Sequence, residues 1–160
     1  MYFDALEFLE EEREAWRPYE ALDGLTDAQL AVGVAGAHKW SGRDLIGHVV
    51  AWQSFALDVA RELAMNERSA TKERLDRDWD ARGGEAINAG IQADWAALPI
   101  AEVRDRLRTV PGELRGYLTV VPETRWLKNA DYLRYFLDET IDHYAEHRSD
   151  LDAIIAAVAR

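Results

Sequence analysis

The chain has 160 residues, and 30 Asp and Glu against 19 Lys and Arg give it a formal net charge of −11. That length suits one domain over residues 1–160 with a real buried core, and 48% hydrophobic with 31% charged residues excludes wholesale disorder. The acidic balance offers no basic face for nucleic acid or anionic lipid, and the absence of cysteine excludes disulfides, thiolate metal sites and a cysteine nucleophile.

The N-terminus is acidic from Asp4 onward and does not read as a leader peptide. No apolar stretch approaches the roughly 20 residues needed to cross a bilayer. The expectation is a cytoplasmic protein. Helical periodicity then runs through almost every segment. A first helix is predicted from Tyr2 to Leu22, with Phe3, Leu6, Leu9, Trp16 and Tyr19 near one face and Asp23-Gly24 as its stop. Residues 25–40 read as a connection. Ser41 with Asp44 three residues on reads as an N-cap, opening a second helix to about Ala64.

Residues 66–84 carry many charges and few apolar residues, and read as a long solvated connection or a lid. A short helix is predicted over 85–97. Pro99 opens another over 100–121, which Pro111 is expected to kink or restart and Pro122 to end. Asn129 reads as the cap of a final helix running almost to Arg160. No segment alternates in the manner of a strand. Four main helices with apolar stripes predict an all-α four-helix bundle.

Three of the four histidines fall on those stripes. His48 interrupts the run Leu45, Trp52, Phe55, Val59, Leu63, and His143 and His147 interrupt Phe136, Thr140, Leu151, Ile154, Val158. Side chains four apart rise from one helix face with Cβ atoms about 5–6 Å apart. His143 and His147 thus suit one divalent ion at about 2.0–2.1 Å per nitrogen, with His48 as a third ligand from a neighbouring helix. Three protein ligands leave a position open for water or substrate. The other reading of the same pattern is a set of hydrogen-bonded core histidines, since neutral imidazole also needs partners when buried.

Several polar residues lie near this seam. Glu139 precedes His143 by one turn and Asp44 precedes His48 by one turn, so either carboxylate is placed to orient a ring, Asp44 having capping as its alternative role. Glu146 completes a His-x-x-Glu-His string like that of inverted zinc peptidases, and otherwise reads as a solvent-facing glutamate. Arg13 either meets an anionic substrate group or extends to solvent. Trp40, Trp52 and Tyr144 are aromatic neighbours, and His38 reads as surface. There is no Gly-rich phosphate loop and no Gly-x-Ser-x-Gly elbow.

The segment Trp40-Ser41-Gly42-Arg43-Asp44-Leu45-Ile46-Gly47-His48-Val49-Val50-Ala51-Trp52 resembles the helix-two signature of the DinB/YfiT-like superfamily. His143-Tyr144-Ala145-Glu146-His147 resembles its last-helix His-x-x-x-His motif. Order and separation agree over essentially the whole chain, and the nearest subgroups are the mycothiol-dependent maleylpyruvate isomerase N-terminal domain and the ClbS/DfsB-like proteins. The resemblance implies an up-down-down-up bundle, often a homodimer, with zinc or nickel on His48, His143 and His147. It implies a metal-dependent thiol transferase or hydrolase acting on a small electrophile or xenobiotic, with a low-molecular-weight thiol as cosubstrate. The isomerases tend to present Glu-x-x-x-His where this chain has His143 first, which points away from isomerase activity. The ClbS-like proteins imply the alternative, a non-enzymatic small-molecule-binding or self-protection protein.

Overall fold

Asp4 starts the first helix by accepting the Glu7 amide at 3.0 Å, and α1 runs Ala5–Trp16. Its buried face is Phe8, Leu9, Glu12 and Trp16, while Phe3 and Leu6 are exposed. The seam is thus rotated from the one expected, with a glutamate on it. Pro18 lacks the amide that would continue the α-helical ladder, and the chain tightens into a 3-10 helix over Arg17–Gly24 that buries Tyr19 and Leu22. The computed structural model describes residues 1–159, and those residues form helices, turns and loops with no strand.

The connection before Ser41 contains a short α-helix, α2 (Asp27–Leu30), held by a Thr26–Gln29 capping box, and a 3-10 turn over Ala35–Ala37. The Ser41–Asp44 capping box forms as predicted and opens α3 (Gly42–Met65). This is the central helix of the fold. It packs on α5 (Gly84–Ala96) through Gly47, where a Cβ would lie 3.0 Å from Trp95. It also packs on α6 (Ile100–Val120) along much of its length.

Residues 66–84 are a helix rather than an open connection. Ser69 caps α4 (Ala70–Arg82), and Glu62 ties its first turn to α3: its carboxylate accepts the Ser69 hydroxyl, the Thr71 amide at 3.1 Å and the Thr71 hydroxyl at 2.8 Å. Burial pushes the Glu62 carboxyl up, but these hydrogen bonds outweigh it and hold it below its ordinary value. The segment's polarity reflects how little of it is buried. The cap and one glutamate on another helix supply what an apolar stripe usually does. Gly83, with φ of 79°, turns the chain into α5 (Gly84–Ala96).

α6 passes through Pro111 without a break. One amide is lost there, but Val103, Leu107, Val110 and Leu114 are all buried on either side of it, and packing keeps the helix whole. The predicted final helix, by contrast, is in three pieces: α7 (Ala130–Glu139), α8 (Ile141–Glu146) and α9 (Arg148–Val158). Arg160, the expected end of that helix, lies outside the described residues. No helix among the described residues is long and apolar enough to cross a membrane.

Candidate metal centre

The breaks in the last helical stretch flank the two histidines it carries. Thr140 is fully buried, with φ −127° and ψ −99°, and its hydroxyl donates to the Phe136 carbonyl at 2.5 Å. Such back-bonding to the preceding turn bends helices. α8 then restarts with the Tyr144 amide on the Thr140 carbonyl at 2.8 Å. His143 sits within α8, and His147 is the junction to α9.

Tyr144, between them, is the anchor. Its hydroxyl donates to Glu12 of α1 at 2.8 Å and accepts from the Gln53 amide of α3 at 2.7 Å, while its carbonyl accepts the Tyr19 hydroxyl at 2.6 Å. Glu12, 1% exposed, is in turn paired with Arg115 of α6 at 2.9 Å. Three segments therefore converge on the residue that follows His143, with α6 behind them through Arg115.

Held this way, His143 meets His48 of α3 with their Nε2 atoms 3.0 Å apart. Ring centroids are 4.9 Å apart for His48–His143, 4.7 Å for His48–His147 and 4.9 Å for His143–His147. One nitrogen from each ring lies within 4.8 Å of the others, so the three residues could hold a metal ion. Ligands at about 2.0–2.1 Å in a tetrahedral set are about 3.3 Å from one another, a spacing that the His48–His143 pair approaches at 3.0 Å.

Asp150 fixes the third ring. Its Oδ2 faces His147 Nδ1 at 2.9 Å, which places the proton on Nδ1 and leaves Nε2 free for an ion. Its Oδ1 is 3.5 Å from Nε2 of the exposed His38. Trp40 stacks on His147 at 5.5 Å and 29°, and its ring is 5.0 Å from His48. The loop carrying it closes on itself, with the Val34 amide on the Trp40 carbonyl at 2.9 Å and the Lys39 amide on the Val34 carbonyl at 3.0 Å. His38 and Lys39 take left-handed backbone angles to make that turn.

His48 and His143 favour neutral imidazole. Burial lowers His48 to about 4, with the neighbouring His147 adding to it. Burial lowers His143 to about 3, with His48 and His147 adding to it. Neutral imidazole is the form that binds a metal. His143 Nδ1 is buried without a hydrogen-bond partner.

The histidines open onto a cavity of about 670 Å³, a size typical of small-molecule sites. Trp52, Leu75 and Trp79 form an apolar wall, and Tyr135, Glu139 and Arg134 are among the residues facing it from α7. A smaller hollow of about 330 Å³ lies on the other side of His48, beneath Trp40 and Asn88. The Trp52 indole donates to Asn88 at 2.9 Å at this boundary.

The structure brings His48, His143 and His147 together as the spacing predicted, with Trp40 and Trp52 beside them. It reassigns the residues around them. Asp44 is committed to the Ser41 amide and hydroxyl, each at 2.9 Å, and serves as a cap. Glu139 does not orient His143, whose Nδ1 has no partner, because the helix breaks at Thr140 between the two. Glu146 is exposed at the cavity rim. Arg13 pairs with Glu20 at 2.9 Å, away from the cavity. Asp150 is the orienting carboxylate; its position three residues after His147 was the available signal.

Neither the curated proteins nor the solved structures gave a match to this chain. The family model of the DinB superfamily matches residues 9–151, a span that takes in most of α1, the three clustered histidines and Asp150. The chain belongs to the DinB superfamily.

Proposed function

We propose that this protein binds one divalent ion, zinc or nickel, on His48, His143 and His147, and uses it in a thiol-transfer or hydrolytic reaction on a small electrophile. The observation that carries the reading is the convergence of three imidazoles on one side of a substrate-sized cavity. A bound ion of this kind supplies Lewis acidity that makes a thiol or a water nucleophilic near neutral pH. The chain's own residues do the positioning. Asp150 holds the His147 tautomer, Tyr144 locks α8 against α1 and α3, and Trp40 covers the rings on the side away from the main cavity.

The arrangement of the helices as an up-down-down-up bundle, a single domain over 1–160, a homodimeric state and a cytoplasmic location belong to the same reading. Exposed Phe3 and Leu6 at the start of α1 and Val120 at the end of α6 are apolar surface available to a second copy. The test is turnover. Zinc- or nickel-loaded protein is assayed with 1-chloro-2,4-dinitrobenzene, with and without cysteine as thiol, beside His143→Ala. Metal-dependent product formation that is lost in the variant supports the enzyme. Saturable binding of small molecules without turnover favours the sequestering alternative, which draws on the size of the cavity alone.

A further inference from the structure

The charge of the main cavity is lopsided. Six carboxylate residues line it against two cationic ones, Lys72 and Arg134. Both cations are already engaged: Lys72 bonds Asp76 at 2.7 Å, and Arg134 spans Asp138, at 2.8 Å, and Asp142. Asp131, Glu139 and Glu146 are left without a cationic partner. An anionic ligand entering this space finds no free side-chain cation, and it meets carboxylates on α7 and α8.

Two further features point to what does fit. Trp52 and Trp79 meet edge to face at 6.0 Å and, with Leu75, give the cavity an aromatic and aliphatic wall as well as an acidic lining. The position of Trp79 is built in: it packs on Gly84, where a Cβ would lie 2.5 Å from its ring. Tyr135, only 8% exposed, lines the same cavity, and its buried hydroxyl has no hydrogen-bond partner. An aromatic face beside unpaired carboxylates is the chemistry that recognises organic cations, through the ring quadrupole and charge-assisted hydrogen bonds.

We propose that the cavity takes an organic cation, a substituted ammonium or amidinium joined to a flat apolar group, with its charged head at Glu139 and its apolar part on the wall formed by Trp52 and Trp79. Of the three carboxylates without a cationic partner, Glu139 alone is not exposed, and it lies four residues before His143. Its carboxyl is otherwise unsupported: burial, with Asp138 adding to it, raises it to about 8. An incoming cation removes that penalty. This assignment rests on the metal reading only for the placement of the reacting centre, since Glu139, Trp52 and Trp79 are not among the three histidines that would hold the ion, although those histidines line the same cavity.

The experiment compares 2-phenylethylammonium with the size-matched anion 3-phenylpropionate by isothermal titration calorimetry. It is run on full-length protein, both zinc-loaded and stripped of metal, at two salt concentrations. The expected result, read in metal-stripped protein where no open zinc position can take the anion's carboxylate, is binding of the cation about tenfold or more tighter than the anion, a charge-assisted contact being of that size. Glu139→Gln should remove about tenfold of cation affinity, and Trp79→Ala about three- to tenfold. Trp79 is half exposed, so its loss leaves folding intact. Circular dichroism checks both variants. In metal-stripped protein, equal or tighter binding of the anion, no binding of either ligand, or a cation preference unchanged in Glu139→Gln overturns the assignment. A cation preference in protein that takes up no metal leaves it standing while the metal reading falls. Stoichiometric zinc without a cation preference has the opposite meaning.

Discussion

The hydroxyl of Tyr144 donates to Oε1 of Glu12 at 2.8 Å, although 132 residues separate them in the chain. Both groups are buried, and the bond sets the rotation of the short helix that carries His143. It makes α1, which contributes no histidine, a support of the candidate centre. Tyr144→Phe should keep the ring packing and lose this bond together with the one from Gln53. Stranding two buried polar groups costs about 1–3 kcal/mol, read as a lower urea midpoint at unchanged slope. An unchanged midpoint contradicts the supporting role.

Asp150 should matter to the ion through His147 alone. Asp150→Ala is expected to weaken zinc binding by about 10–100-fold, the usual effect of removing an orienting carboxylate. His38→Ala, on the exposed side of the same carboxylate, should change it little. Competition with a chromophoric chelator measures both. Equal effects from the two variants would mean that Asp150 organises the loop rather than the ring.

The pH dependence of metal-free protein follows from two opposed groups. His48 and His143 titrate at about 4 and about 3 in the fold, against about 6.5 in the unfolded chain. Between those values the unfolded state holds more protons, so their contribution to stability is lost as pH falls from 6.5 toward 4. Glu139 acts in the other direction. Its carboxyl titrates at about 8 instead of 4.5, so the folded state holds the extra proton and stability declines as pH rises from 4.5 to 8. Glu139→Gln should therefore raise the melting temperature relative to the parent more at pH 9 than at pH 5. Identical differences at the two pH values contradict the buried state of Glu139.

Much of the site was legible because its residues obey helical spacing. His48, His143 and His147 sit on apolar stripes where only buried or ligating histidines belong, and Ser41 with Asp44 announces the start of α3. Glu12 was legible on the same grounds, lying between Leu9 and Trp16 at intervals of three and four. What spacing could not convey was the break at Thr140. A period read through that residue predicts Glu139 beneath His143. The broken helix instead leaves Glu139 facing the cavity and gives the orienting role to Asp150. Residues 66–84 were read as a connection for a different reason. Their helix is tied down by hydrogen bonds from Ser69 and Thr71 to a glutamate on another helix, which periodicity does not register.

That tie can be tested directly. Ser69→Ala removes the cap of α4 and one of the bonds to Glu62, and should cost about 1–2 kcal/mol. Amide exchange should accelerate first in residues 70–74. Uniform acceleration across the chain, or none, contradicts a locally anchored α4.

The central claim is that His48, His143 and His147 hold a divalent ion, and elemental analysis of untagged protein beside His143→Ala tests it most directly. The account predicts near-stoichiometric zinc or nickel in the parent and its loss in a variant that remains helical by circular dichroism. Parent protein that is metal-free as purified and takes up neither ion when offered would contradict it, leaving three hydrogen-bonded core histidines beside the cavity.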